Sequence, residues 1–360
     1  MTTRILKPLV VSLFFAFVAW LTESPALSQS EHKMIHDTKE HILEDAKREG
    51  KLVVSPGFED STTPHLIEAF KKKYPFVKEV VWSKPADFKK QLNDLIEGKA
   101  VVDAFRPAPN LWSQYFSHNL FRKYDFKKMA EGGHLNIPQE MIDESGVVIW
   151  SGSIIGIMVY NVNRTASEPA LTGWESCLDP KWTGKFTVDT KPNVLASLAA
   201  RWGEQKTLDY ARKLKQNNPI MVRGSTQGLT KLATGEFAFM CGVYLHATER
   251  YLKQNPSAPI KKLVPDPLPA AFHEPEAVYA RAPNRHTALL WIEFLASPEG
   301  QQVLDTVDPG RASFLVQKTL AHQLASRANV SVCATGCRNR EDDLMKRIAV
   351  DTWGLPKVAE

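Results

Sequence analysis

The segment VRGSTQGLTKL, residues 222–232, places an arginine, two glycines and two hydroxyls directly ahead of an apolar helix. Three chemistries use such residues. A hydrolase elbow has the order G-x-S-x-G with serine at its centre, whereas Gly224-Ser225-Thr226-Gln227-Gly228 puts a threonine there. A P-loop needs G-x-x-x-x-G-K followed by Ser or Thr, and that order is absent. What remains is a strand end feeding a helix N-terminus, where free N–H groups and the helix dipole favour an anion or a polar ligand. Arg223 adds a positive charge to that reading. The alternative is that Ser225 or Thr226 simply caps the helix.

The same arrangement recurs at other strand ends. Ser55, Pro56, Gly57 and Phe58 follow a short apolar strand, Asp103 to Arg106 follow another, and Thr190 to Asn193 precede a helix. In an open α/β sheet ligands gather in the crevice at such ends. The candidate ligand-binding residues are therefore Ser55, Gly57, Phe58, Arg106, Thr190, Asn193, Arg223, Ser225, Thr226, Tyr244 and His246. Tyr244 and His246 close the strand FAFMCGVYL and are equally readable as aromatics packed at an edge; as a phenol and an imidazole they are also the candidate metal ligands. His273 and Glu274 lie where a return strand is expected. His32, His36 and His41 crowd the start of the mature chain, and His32 and His36 are four apart, a spacing that can share one helical face for a metal. The sequence has no H-E-x-x-H, no serine elbow and no glycine-rich nucleotide fingerprint, so neither catalysis nor a cofactor is expected.

Elements able to hold these residues alternate along the chain. Residues 34–50 carry Ile35, Ile42, Leu43 and Ala46 on one helical face and end at a glycine. KLVVS (residues 51–55) is a strand, STTPHLIEAFKKKYP a helix with proline in its first turn, VKEVVWS a strand, ADFKKQLNDLIEGK a helix and VVDAF a strand. Such alternation predicts a doubly wound sheet. GVVIWSGSIIGIMVYN, residues 146–161, is long enough to pass from one lobe into another. A second α/β set follows, built on KFTVDT, NPIMVRG and FAFMCGVYL. EPEAVYARAP (residues 274–283) is the expected return strand, ahead of the apolar helix NRHTALLWIEFLAS. The expected organisation is a leader over residues 1–28, a first lobe over 29–150, a second over 151–272, and a return to the first lobe with C-terminal helices over 273–360.

Compartment follows from the first residues. Arg4 and Lys7 precede the apolar block PLVVSLFFAFVAWL, and Ala26-Leu27-Ser28 supplies small residues for cleavage, the pattern of a signal peptide. The block is shorter than the ~20 residues of a membrane span, so export and cleavage are expected. A net charge of +5, with acids and bases interspersed, excludes a nucleic-acid-binding stripe. In an oxidising compartment Cys333 and Cys337, four apart, read as a small disulfide loop. Spacing leaves the state of Cys177 and Cys241 open.

Several segments taken together resemble a known family. AKREGKLVVS, IEAFKKKYP, GWESCLDPKWTGKFTVDT, LATGEFAFMCG and WIEFLASPEGQQVL resemble bacterial extracellular solute-binding proteins of ABC importers, nearest to their ferric-iron-type periplasmic branch. The resemblance implies a two-lobed type II periplasmic binding fold, with lobes joined by crossing hinge strands and closing over a small solute. It implies a periplasmic monomer that delivers its solute to a membrane permease and its ATPase, without enzymatic turnover. The ferric branch grips its metal with adjacent tyrosines; the matching residues here are Val243, Tyr244, Leu245 and His246. The solute implied is accordingly a small anion, suggested by Arg106 and Arg223, or a ferric complex. The rival readings are a secreted α/β hydrolase and a ligand-sensing partner of a membrane receptor.

Overall fold

The computed structural model describes residues 34–166, 171–332 and 338–356. The leader, His32, Cys333 and Cys337 lie outside the described residues. Among the described residues ten strands form one continuous sheet: β1 (Lys51–Ser55), β2 (Glu79–Trp82), β3 (Ala104–Phe105), β4 (Ile149–Asn161), β5 (Phe186–Asp189), β6 (Ile220–Val222), β7 (Phe239–Tyr244), β8 (Ile260–Leu263), β9 (Leu268–Val278) and β10 (Val330–Val332). Their main path runs β2-β1-β3-β9-β4-β7-β5-β6, with β8 on β4 and β10 on β9. Within each half the short strands are parallel: β1 with β2 and β3, and β5 with β6 and β7. Their C-terminal ends therefore share an edge in each half, which is what gathers the loops singled out above.

The long strands β4 and β9 belong to both halves. Ile149 to Ile155 of β4 pair antiparallel with β9, and from Gly156 onward β4 pairs with β7 and β8. The far end of β9 pairs with β3, also antiparallel. Close approach makes this possible: a Cβ on Gly152 would press on the Arg311 carbonyl and the Glu274 side chain. The return strand begins at Leu268, six residues before the glutamate at which the sequence suggests it. Leu268, Ala270 and Phe272 supply the apolar alternation, and Pro269 and Pro275 mask it locally.

Apolar burial separates around this crossing. One core draws on residues from Ile42 to Ile149 and again from Ala277 to Val316. Its centre is the helix Arg285–Ala296, buried from His286 to Ala296 because the segment is apolar on every side. Trp291 meets Phe70 edge-on with ring centroids 5.3 Å apart, a favoured aromatic geometry. Two further clusters lie in the other half, around Trp174, Phe186 and Phe239, and around Val159, Leu229 and Phe237. The C-terminal segment packs on this other half. Leu344, Ile348 and Trp353 join the cluster of Trp174, and the Trp353 indole donates to the Ala211 carbonyl at 3.1 Å. The helix Arg338–Lys346 is strongly polar, so its few apolar side chains give no hint of the half on which they settle.

Cys177 and Cys241 form a disulfide across a sequence separation of 64, tying the turn after Trp174 to β7. Among the described residues no helix is long and apolar enough to cross a membrane.

Candidate functional site

Two loops of the first half converge on β9. Parallel pairing of β1 and β3 brings their ends together, and the Arg106 amide donates to the Ser55 carbonyl at 2.9 Å. The Ser55 hydroxyl accepts from Gln91 at 3.0 Å. Gly57 lies so tightly against β9 that a Cβ there would collide with the Glu274 carboxylate and the Arg106 side chain; only glycine leaves that space. Its amide reaches Glu276 Oε1 at 3.4 Å. Phe58 is 1% exposed and packs into the first core. Asp103 braces the scaffold, accepting from the Val53 amide at 2.8 Å and the Asn284 amide at 2.8 Å.

At the centre stands Glu274, fully buried, with a left-handed backbone (φ 53°). A non-glycine residue in that region stores local strain and needs its surroundings to hold it there. The holding groups are visible. Arg106 Nε donates to Oε2 at 3.0 Å, His273 Nδ1 lies 2.9 Å from Oε1, Arg311 Nη2 donates to Oε1, and the Ser151 hydroxyl donates to the Glu274 carbonyl at 2.9 Å. Burial alone would raise the Glu274 carboxyl, but Arg311, His273 and Arg106 outweigh it and hold it well below the usual carboxylate range. Glu276, two residues on, goes the other way: burial and the charge of Glu274 push it well above that range. Two carboxyls on one face of β9 are thus pushed in opposite directions. Burial drives His273 down to about 4 despite Glu274. Burial and Arg311 likewise push His246 well below the ordinary histidine value. Arg106 and Arg311 thus share the carboxylate of Glu274.

The second half brings three loops to its shared edge. The Thr190 amide donates to the Val222 carbonyl at 2.8 Å. Asp189 Oδ1 accepts from Lys191 N at 2.9 Å and Gly224 N at 3.3 Å, locking the loop after β5 to the loop after β6. Burial raises the Asp189 carboxyl even so. Ser225 opens the helix Ser225–Thr234, while Arg223 and Thr226 are exposed. A recess of about 400 Å³ lies here, lined by Trp174, Asp189, Lys191, Ser225 and Tyr244. A neighbouring recess of about 400 Å³ is lined by Asn193, Ser197, Tyr244, Pro269, Glu341 and Asp342. Tyr244 and Val194 line both.

Tyr244 and His246 stack, with ring centroids 5.5 Å apart and planes 14° from parallel. His246 is only 8% exposed, and its Nε2 accepts from Arg311 Nη1 at 3.2 Å. The lone pair that would bind a metal is therefore already engaged. Leu245, between the two rings, is a core residue. Of the sequence candidates, Ser55, Gly57 and Arg106 gather at the crossing strands, and His246 reaches the same cluster from the second half through Arg311. Asn193, Ser225 and Tyr244 line the recesses, with Thr190 in the loop behind them. Phe58 belongs to a core. Of the amino-terminal histidines, exposed His36 faces Asp125 at 3.8 Å. Sequence reasoning passed over Arg311 and Glu276 altogether. Arg311 follows a turn at Gly310 and has no motif around it. Glu276 is one acid in a strand read only for its hydrophobicity. Trp174 sits inside the segment W-E-x-x-L-D-P-K-W, a signal that was available.

Residues 108–332 match the family described as bacterial extracellular solute-binding protein. Iron uptake protein A1 of Synechocystis sp. is 25% identical over 186 residues, which make up 47% of this chain and 51% of that protein. The chain thus spans about half the length of that curated relative. Among solved structures, a Trichodesmium protein (IdiA, FutA) in complex with iron and citrate superposes with a TM-score of 0.65 at 17% identity, covering 85% of this chain and 100% of that one. AfuA, a periplasmic binding protein of Actinobacillus pleuropneumoniae with fructose-6-phosphate bound, superposes with a TM-score of 0.60 at 18% identity, covering 85% and 99%.

Proposed function

Since the chain belongs to the family of bacterial extracellular solute-binding proteins and has their two-lobed type II fold, we propose that it is the substrate-binding component of an ABC importer. It captures a small anionic solute between its lobes in the periplasm and presents it to a membrane permease and its ATPase, with no bond made or broken. The first lobe comprises residues 34–150 and the return from 273. The second comprises residues 151–272 together with the C-terminal segment. The observation that carries this reading is the cluster on the crossing strands. Arg106 comes from one lobe and His246 from the other, and both meet β9 through the ion pairs of Glu274. Arg106 and Arg311 share the one carboxylate of Glu274, and an anionic solute would meet the positive charge in excess at that group. A solute stabilises the closed form only through contacts made with both lobes, because equal affinity for open and closed forms shifts nothing.

Tyr244, shared by both recesses, favours a ferric complex of an organic acid among small anions, since its phenol can ligate the metal while the arginines meet the carboxylates. The superposing structures hold iron with citrate and a sugar phosphate, both anionic cargoes on this fold. The test is a thermal-shift panel on the mature chain with ferric citrate, fructose-6-phosphate, inorganic phosphate and spermidine. Stabilisation by one of the anions and none by spermidine is expected. Replacing exposed Arg223 by alanine should weaken the active anion about tenfold, the worth of one charge-assisted bond. A response to spermidine alone, or to nothing in the panel, overturns the anion reading.

A further inference from the structure

Asp37, His41, Asp45 and Glu49 recur every four residues along the helix Lys39–Glu49 and its lead-in, and so share one face. Against that face lies the start of the helix Arg285–Ala296, which contributes His286. None of these residues belongs to the cluster around Glu274. His286 is 2% exposed, and its Nδ1 lies 2.9 Å from Glu49 Oε1. Glu49 also accepts from the amides of His286 and Thr287 and from the Thr287 hydroxyl. That carboxylate therefore accepts from Nδ1–H, and the neutral ring keeps its lone pair on Nε2. Nε2 has no hydrogen-bond partner although it is buried. It faces Asp37 Oδ2 at 3.5 Å.

The second imidazole mirrors the first. His41 Nδ1 lies 3.0 Å from Asp37 Oδ1 and its Nε2 lies 3.1 Å from Asp45 Oδ2. The two rings are 5.4 Å apart between centroids. One donor atom each from Asp37, His41 and His286 falls within 4.8 Å of the others. With Nδ1 of His41 toward Asp37, its opposite nitrogen donates to Asp45 just as that of His286 donates to Glu49. Each ligating imidazole would then have a carboxylate behind it, the usual support of a metal-bound histidine. The His41 side chain is 51% exposed, leaving a path in and room for a water ligand. Arg48, on Asp45 at 2.6 Å, is the cation paired within the group, and three carboxylates leave the surroundings net negative.

We propose that Asp37, His41 and His286 form a binding site for a zinc-class divalent transition-metal ion, separate from the solute cleft, with Asp45 and Glu49 orienting the two histidines. Two imidazole nitrogens, one carboxylate oxygen and a water make a four-coordinate set that suits Zn²⁺. The ion joins the first helix of the mature chain to the central helix of the first core. It is a structural staple and does not depend on what the cleft carries.

The experiment uses the mature chain freed of metal and Zn²⁺ alone, titrated against a competing chromogenic chelator, with thermal unfolding in parallel. One equivalent of Zn²⁺ should bind and raise the melting temperature. His41→Ala and Asp37→Asn should each weaken binding at least tenfold and abolish the thermal gain. His36→Ala and Tyr244→Phe should bind like the parent. Substoichiometric binding overturns the proposal, as does equal binding by the His41 and His36 variants. Loss of binding in Tyr244→Phe would place the ion in the cleft and overturn it equally.

Discussion

Replacing Glu274 by glutamine removes the one charge that holds both arginines at the crossing strands while keeping the side chain's volume. At the 3.0 Å separation from Arg106, an effective dielectric of about 20 gives a gross attraction of about 5–6 kcal/mol. Desolvation offsets much of that in the intact protein, but breaking a buried pair leaves the partner's charge uncompensated and costs about 3–5 kcal/mol. Glutamine also presents an NH₂ to surroundings in which the two guanidinium groups can only donate. With about 2.1 cal/mol/K of unfolding entropy per residue, a mature chain of about 330 residues loses about 1.5 °C per kcal/mol, so the melting temperature should fall by about 4–8 °C. The assay is urea and thermal unfolding at pH 7, closed into a double-mutant cycle with Arg106→Met. Because the pair acts as a unit, the cycle should show coupling of at least about 1 kcal/mol. The contribution also has a pH signature. The folded carboxyl titrates below an unfolded glutamate at about 4.3, so its stabilisation is complete above that value and is lost as pH falls toward the folded one. A variant within 1 kcal/mol of the parent, or strictly additive single changes, would refute the account of Glu274 as the keystone of the crossing.

Glu276→Gln should behave differently. The folded carboxyl keeps its proton above the pH at which the unfolded one ionises, so the parent loses up to about 1.4 kcal/mol per pH unit that the variant keeps. Urea midpoints at pH 5, 6 and 7 should show the variant gaining on the parent as pH rises, and a constant difference would contradict the assignment of a neutral acid. Joint replacement of Cys177 and Cys241 by alanine frees a loop with a sequence separation of 64, worth about 4 kcal/mol of unfolded-state entropy. A drop below about 1 kcal/mol in urea would show the cross-link to be incidental.

The alternation of strands and helices, the apolar helix before Ser297 and the position of each loop at a strand end were all legible in local pattern, because periodicity and turn chemistry act over a few residues. The stretch from Gly146 to Asn161 was legible as a crossing strand from its length. The resemblance carried the two-lobed fold. What local pattern could not supply were pairings across long separations. Phe58 stands beside Gly57 in the chain, yet one side chain fills a core and the other position abuts an ion pair, a division fixed by which way the turn after β1 folds. His246 was readable as a ligand contact or as an edge aromatic, and Arg311, 65 residues on, occupies its nitrogen. His41 looked like one of three crowded amino-terminal histidines, and its ring lies 5.4 Å from that of His286, 245 residues on. In each case the residue type named a capacity for chemistry. Which charge stayed ionised, which nitrogen kept its lone pair and which carboxyl held its proton were set by burial and by neighbours that only tertiary packing brings within 4 Å.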